Sequence, residues 1–371
     1  MHLLRRTLSI LMDSFSTSTT PSILHQNLRT NSSEQPSAWP NNSTWQSLVV
    51  PCFTMTFGAI SNLTALGILA KSRVRFHRRS KAPFLLLTVA LLLADLAGHV
   101  ILGAFTLAQR ENIEDAFCQI FGASMVFFGL CPLLLGCAMA VERCVAITQP
   151  FFHSAMVTLR HMWRVVLLLS SLALVLAVLP LFAGGTYTPQ SPKTWCFLRI
   201  RDPQSPADTN LALAFSVLGL SALTFSLLCN TVSALALLQA RLKYRHVDAE
   251  PSVRSLRRAS STSSSSGCSL DVEMLAQLAG VTVVSCICWS PFLINILTMQ
   301  FSQRSSTHEN DDFMLMGVRM AAWNQILDPW MYILLRKAVV FRLCCASYAQ
   351  RPTVSENRTF ADAHGEAFSL Q

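Results

Sequence analysis

The chain has 371 residues, of which 51% are hydrophobic and only 13% charged, and it carries a net charge of +9. A soluble domain holds roughly a quarter charged residues, so this balance excludes an ordinary globular protein and points to a membrane one. The positive excess is no argument for a nucleic-acid partner: the basic residues gather in connectors and in the C-terminal segment, where anionic lipid and a cytosolic partner account for them.

A hydrocarbon core about 30 Å thick requires about 20 apolar residues per crossing helix. Seven runs qualify: Val49 to Ala70, Pro83 to Leu107, Phe117 to Val145, Val165 to Phe182, Leu211 to Leu238, Met274 to Phe301 and Phe313 to Leu335. They consume most of the chain and leave no room for a separate soluble domain. The expected fold is an all-α integral membrane protein, a seven-transmembrane helix bundle with a short cytoplasmic amphipathic helix after the seventh span. Residues 1–48 form a tail before the bundle (49–335), 239–273 the third cytoplasmic connector and 336–371 the C-terminal segment. Runs longer than needed imply tilt or extension past the bilayer.

In the polar N-terminal tail, Asn31, Asn41 and Asn42 open N-x-Ser/Thr sequons, a glycosylation signature of an outer segment. Sequons at Asn62, inside a span, and at Asn357, on the inner side, are expected to stay idle. The apolar stretch near Met1 to Met12 is short and interrupted by Arg5 and Arg6, which does not suit a cleavable signal peptide.

The first span places Asn62 in its inner half. The connector that follows holds Lys71, Arg73, Arg75, Arg78, Arg79 and Lys81, whereas the connector after the second span sets Glu111, Glu114 and Asp115 against Arg110. The positive-inside bias puts the first connector in the cytoplasm, with the N-terminus outside and the C-terminus inside. The second span carries Asp95 and, one turn outward, His99. An ionisable group inside a bilayer is costly unless paired or solvated, so each is a functional candidate.

The third span begins beside Cys118 and ends at Glu142-Arg143. An ion pair at the cytoplasmic mouth can hold one state and release Arg143 toward a partner in another, although charges flank spans routinely. Cys196 lies in the outer connector after the fourth span, so it and Cys118 both face an oxidising compartment, and a bridge between them would tie the loop across the bundle. Cys52, near the outer end of the first span, competes for either partner. Most of the other cysteines lie within apolar runs, where a thiol is a small hydrophobe.

The connector between the fifth and sixth spans joins Arg257-Arg258-Ala259-Ser260 to a serine run ending at Ser266. It is too polar to fold alone, and phosphate on Ser260 would cancel basic charge; an unmodified solvated linker is the plainer reading. Pro291 in the sixth span removes a backbone hydrogen bond and kinks the helix beside Trp289.

The seventh span holds Arg319, Asn324 and Asp328, with Pro329 breaking its ladder. At a rise of about 1.5 Å per residue, Asn62, Asp95, Asn324 and Asp328 fall at one depth. They serve as interhelical glue or as an oxygen cage for a sodium ion, since two close carboxylates need a proton or a cation between them. No other metal and no cofactor is expected. Arg319 and His99 share a depth in the outer half, where no other span offers a carboxylate. A buried guanidinium fork suits an external anion, and His99 can hydrogen-bond a ligand hydroxyl or carbonyl or serve as a satisfied core histidine. Beyond the span, Cys344 and Cys345 follow Arg336, Lys337 and Arg342, a setting for palmitoylation.

Taken together, these motifs resemble the rhodopsin-like family of G-protein-coupled receptors over all seven spans. The matching elements are Asn62, Asp95, Cys118 with Cys196, Glu142-Arg143-Cys144, Cys288-Trp289-Ser290-Pro291 and Asp328-Pro329-Trp330-Met331-Tyr332. The fifth span lacks a proline, and Trp163 sits at the very start of the fourth, both departures from the common pattern. Within the family, Glu-Arg-Cys, Asp-Pro-Trp-x-Tyr and the outer loop Gln190-Ser191-Pro192-Lys193-Thr194-Trp195-Cys196-Phe197 are similar to the prostanoid branch. That resemblance implies a ligand carboxylate paired with Arg319 and assisted by Thr194 and Trp195. It also implies Glu142, Arg143, Trp289, Pro291, Asp328 and Tyr332 as parts of the G-protein switch. The stretches Asp95 to Ile101 and Met125 to Val145 look most like receptors for prostaglandin E2 that mobilise calcium, with receptors for F prostaglandins next. Implied partners are prostaglandin E2, a heterotrimeric G protein of the Gq class, receptor kinases and arrestin, at the plasma membrane.

Other classes fit less well. All five lysines lie outside the spans, which removes a retinal Schiff base; no internal repeat suggests a transporter; His99 is the only histidine within a span, so no catalytic constellation forms there.

Overall fold

The computed structural model describes residues 42–75, 82–108, 115–191, 193–201, 203–248, 261–301 and 312–331. The chain divides into Met1–Thr44 and Trp45–Gln371, and the architecture described below belongs to the second unit apart from the first three residues of α1. Its helices are α1 (Asn42–Arg75), α2 (Ala82–Ala108), α3 (Asp115–Thr148), α4 (Pro150–Met156), α5 (Leu159–Ala183), α6 (Pro206–Asp248), α7 (Ser261–Phe301) and α8 (residues 312–331). Six of them, α1 to α3 and α5 to α7, are long and apolar enough to cross a bilayer, and α8 supplies the seventh span. Each predicted run lies within a helix, the seventh as far as residue 331. The C-terminal amphipathic helix, together with Asn31, Asn41, Ser260, Tyr332, Cys344 and Cys345, lies outside the described residues, and of Asn42 only the helical backbone is described.

Apolar runs become helices in lipid because a helix satisfies its own backbone where no water can. Their packing then depends on which faces meet protein. The α3 span is 61% buried, against 22% for the spans of α1 and α5, so α3 is the axis of the bundle and the other two are peripheral. It touches α2, α4, α5, α6 and α7. On α5 the small residues Ala173 and Ala177 are fully covered, while Leu167, Leu168, Val175 and Phe182 face outward. Small residues allow close helix approach where lipid removes the hydrophobic drive. Pro132, Pro180 and Pro291 lie inside α3, α5 and α7. At its start α5 is capped by Thr158, whose Oγ1 accepts from the His161 amide at 3.3 Å; at its end Gly184 takes the left-handed conformation, φ 73°, that glycine adopts freely.

Between α5 and α6 the chain forms a hairpin. Strand β1 (Tyr187–Gln190) pairs antiparallel with β2 (Trp195–Leu198), and Gln190 faces Trp195 at the turn. Cys118 is joined to Cys196, with Cα atoms 5.5 Å apart, and Cys52 is free and exposed, which settles the competition left open by the sequence. Three further attachments hold the hairpin across the bundle. The Tyr187 hydroxyl donates to the Ala177 carbonyl at 2.6 Å, and burial raises the pKa of that phenol. Asp208, 2% exposed, accepts from the amides of Thr186, Gln204 and Ser205 at 3.0, 3.2 and 3.3 Å. Gln300 Nε2 donates to the Ile200 carbonyl at 3.0 Å, bringing in the end of α7.

Candidate functional site

Beneath the hairpin a cavity of about 520 Å³ opens among α1, α2, α3, α6, α7 and α8. Its floor and one wall are aromatic. Phe197 of β2 lies 5.2 Å from Phe215 and 5.4 Å from Phe292 between ring centroids, and Trp289 lies 6.2 Å from Phe292. These rings meet at steep angles, the arrangement the ring quadrupole favours. Disulfide and strand register together hold Phe197 and Trp195 at the cavity.

The polar lining is sparse. Arg319, Thr194, Trp195 and His99, picked out in the sequence from three separate regions, all border this one cavity, together with Lys193 and Gln325. Arg319 is exposed to the cavity, and no carboxylate pairs with it among the described residues. His99 is 6% exposed, and its Nε2 has no hydrogen-bond partner among the described residues. The indole of Trp195 donates to the Ser191 carbonyl at 3.3 Å, which fixes the turn. The lining includes no Asp or Glu. The arrangement therefore offers one cationic end, an apolar aromatic body and a bordering histidine, the pattern of a pocket for an elongated amphipathic anion.

Deeper in the bundle, Asn62, Asp95, Asn324 and Asp328 are all buried. Asn62 Nδ2 donates to the Gln325 carbonyl at 3.1 Å and Asn324 Nδ2 to Asp328 Oδ2 at 3.1 Å. Gln325 Nε2 donates to the Phe128 carbonyl at 3.0 Å, so one side chain borders the cavity and ties α8 to α3. Asp95 and Asp328 lie within electrostatic reach of each other. Both Asp95 oxygens, Asp328 Oδ1, Asn62 Oδ1 and Asn324 Oδ1 lack partners among the described residues, an oxygen set with unspent acceptor capacity. Burial of Asn62 at 0% exposure also disposes of its sequon.

At the opposite end from the disulfide, Arg143 donates through Nε and Nη2 to the two oxygens of Glu142, both at 2.5 Å. His153 of α4 joins them, its Nε2 2.9 Å from Glu142 Oε1. The sequence reading paired Glu142 with Arg143 and missed His153, which the break at Gln149 folds back onto α3. The Arg143 guanidinium also lies 4.7 Å from the centre of the Phe84 ring, a cation–π contact. Lys193 and Gln325 went unnoticed as well, the first because only its place beside Thr194 signals it.

Residues 66–332 match the family described as seven-transmembrane receptor (rhodopsin family). The prostaglandin E2 receptor EP1 subtype of Canis lupus familiaris is 44% identical over 339 residues, covering 83% of this chain and 84% of its own. That of Homo sapiens is 44% identical over 328 residues, covering 79% and 81%. The prostaglandin F2-alpha receptor of Homo sapiens is 41% identical over 305 residues, covering 78% and 80%. Among solved structures, squid rhodopsin superimposes with a TM-score of 0.65 at 14% identity, covering 84% of this chain and 89% of its own, a likeness of fold alone.

Proposed function

The chain belongs to the rhodopsin family of seven-transmembrane receptors, a multi-pass membrane receptor and not an enzyme, and on that premise we propose that it is a receptor for prostaglandin E2. The observation that carries this reading is Arg319 facing a cavity that has an aromatic body and no acidic lining. The ligand carboxylate sits on the Arg319 fork, with the Thr194 hydroxyl donating to it. The aliphatic chains lie against Phe197, Phe215 and Phe292, and His99 hydrogen-bonds a hydroxyl or carbonyl of the ligand. A volume of about 520 Å³ falls in the range that encloses drug-sized ligands, roughly 300–1,000 Å³.

In this reading the disulfide end faces outward, with sugar on Asn31, Asn41 or Asn42. The Glu142–Arg143 end faces the cytosol, where Gq couples the receptor to phospholipase C and calcium. Ser260 is a site for receptor kinases that prepare arrestin binding, and Cys344 and Cys345 carry palmitate. The identity with F2-alpha receptors favours prostaglandin F2-alpha as the second reading.

Tritiated prostaglandin E2 binding to membranes expressing the chain tests the proposal. Arg319→Gln should weaken it by about 10- to 100-fold, the worth of a hydrogen bond to a charged group; undiminished binding removes Arg319 from the ligand. Competition by F2-alpha separates the two readings, and a cyclic AMP response without calcium would sink Gq.

A further inference from the structure

Among the described residues, Lys193 is the one non-glycine with a positive φ, 67°. Its amide donates to the Gln190 carbonyl at 2.5 Å and closes the turn between the strands. Glycine adopts this left-handed position freely, and asparagine or aspartate tolerate it better than most. Lysine gains nothing there from turn chemistry. An outlier of this kind points to a role beyond the turn, because local strain persists at sites where the side chain is wanted.

Lys193 borders the cavity with its neighbour Thr194, and Arg319 reaches the same space from α8. Two basic side chains from separate elements thus border one cavity. They are not equivalent: the planar guanidinium takes two carboxylate oxygens at once, whereas an ammonium on a flexible stem acts as a point charge. A point charge at a cleft raises the local concentration of an anion and speeds its capture.

We propose that Lys193 is a second anion-recognition residue of this receptor, drawing the ligand carboxylate in from the hairpin side and sharing it with Arg319. The proposal rests on the reading of the cavity as a site for a carboxylate-bearing lipid. Both residues are exposed, so the effect is screened and amounts to severalfold.

The test compares the free acid of prostaglandin E2 with its uncharged methyl ester on the full-length receptor in membranes. Lys193→Gly suits it because glycine relaxes the turn, so folding is not at stake. The acid should bind about threefold to fivefold more weakly, the upper range for a solvent-accessible ion pair, with most of the loss in the association rate. The ester should be unaffected, the salt dependence of acid binding should shrink, and Lys193→Arg should keep the wild-type preference for acid. An acid-to-ester ratio unchanged in Lys193→Gly overturns the role of Lys193 and leaves the carboxylate reading standing. A wild-type receptor that binds both forms equally overturns that reading, and the proposal falls with it.

Discussion

Glu142 accepts from two residues at once, Arg143 beside it and His153 eleven positions on. At 4% and 6% exposure the Glu142 and Arg143 side chains are withdrawn from water, a costly placement that good geometry and extra hydrogen bonds offset. His153 supplies the extra bond from α4, so the cluster joins the third span to the loop helix and does not belong to α3 alone. Glu142→Gln removes the carboxylate that holds Arg143, and basal nucleotide exchange on the coupled G protein should rise about fivefold; His153→Phe removes one hydrogen bond to that carboxylate and leaves the Arg143 contact in place, and should raise it about twofold. A basal rate unchanged in both variants, at matched surface expression, would show that the triad is architecture and not a switch.

The hairpin depends on a close approach between elements. A Cβ placed on Gly122 of α3 would overlap Cδ1 and lie 2.6 Å from Cγ of Tyr187 in β1, so β1 packs this closely on α3 only because position 122 has no side chain. Gly122→Ala should lift β1, break the 2.6 Å bond from Tyr187 to Ala177 and cost about 1–3 kcal/mol, the usual penalty of overpacking. A thermal-shift assay on solubilised receptor would read this as a lower Tm, and an unchanged Tm would mean that the hairpin is not held there. None of this was legible in advance. Membrane helices announce themselves as long apolar runs, and all seven did, but two four-residue strands, one containing Pro189 and both flanked by mixed residues, carry no period that sequence can register. Helix ends were equally opaque. The start of α1 at Asn42 and the end of α6 at Asp248 are polar extensions beyond the bilayer, where hydropathy falls silent although the helix continues.

One helix connects the cavity and the buried polar cluster. On α8, Arg319 borders the cavity and Asp328 lies in the polar core, nine residues and roughly 14 Å further along at the helical rise. Between them Gln325 reaches the Phe128 carbonyl of α3 while its own carbonyl takes Asn62 of α1. A ligand that shifts Arg319 therefore shifts a helix bonded to two others, and the depth alignment of Asn62, Asp95, Asn324 and Asp328 was readable because residue counting places polar groups along straight spans. Their chemistry was not, since it depends on which lone pairs end without donors. Asp95 has both oxygens without partners among the described residues and Asp328 has one, and such a pair is eased by a shared proton or by a cation. Sodium bound there would favour the arrangement that holds the carboxylates together, and an agonist that moves α8 would oppose it, because two ligands preferring different states weaken each other reciprocally. Replacing N-methylglucamine by sodium should lower agonist affinity roughly fivefold in the wild type, at the low end of allosteric coupling, and Asp95→Asn should abolish the difference while leaving antagonist binding intact. Sodium sensitivity that survives Asp95→Asn would assign these residues to helix packing alone and place the ion elsewhere.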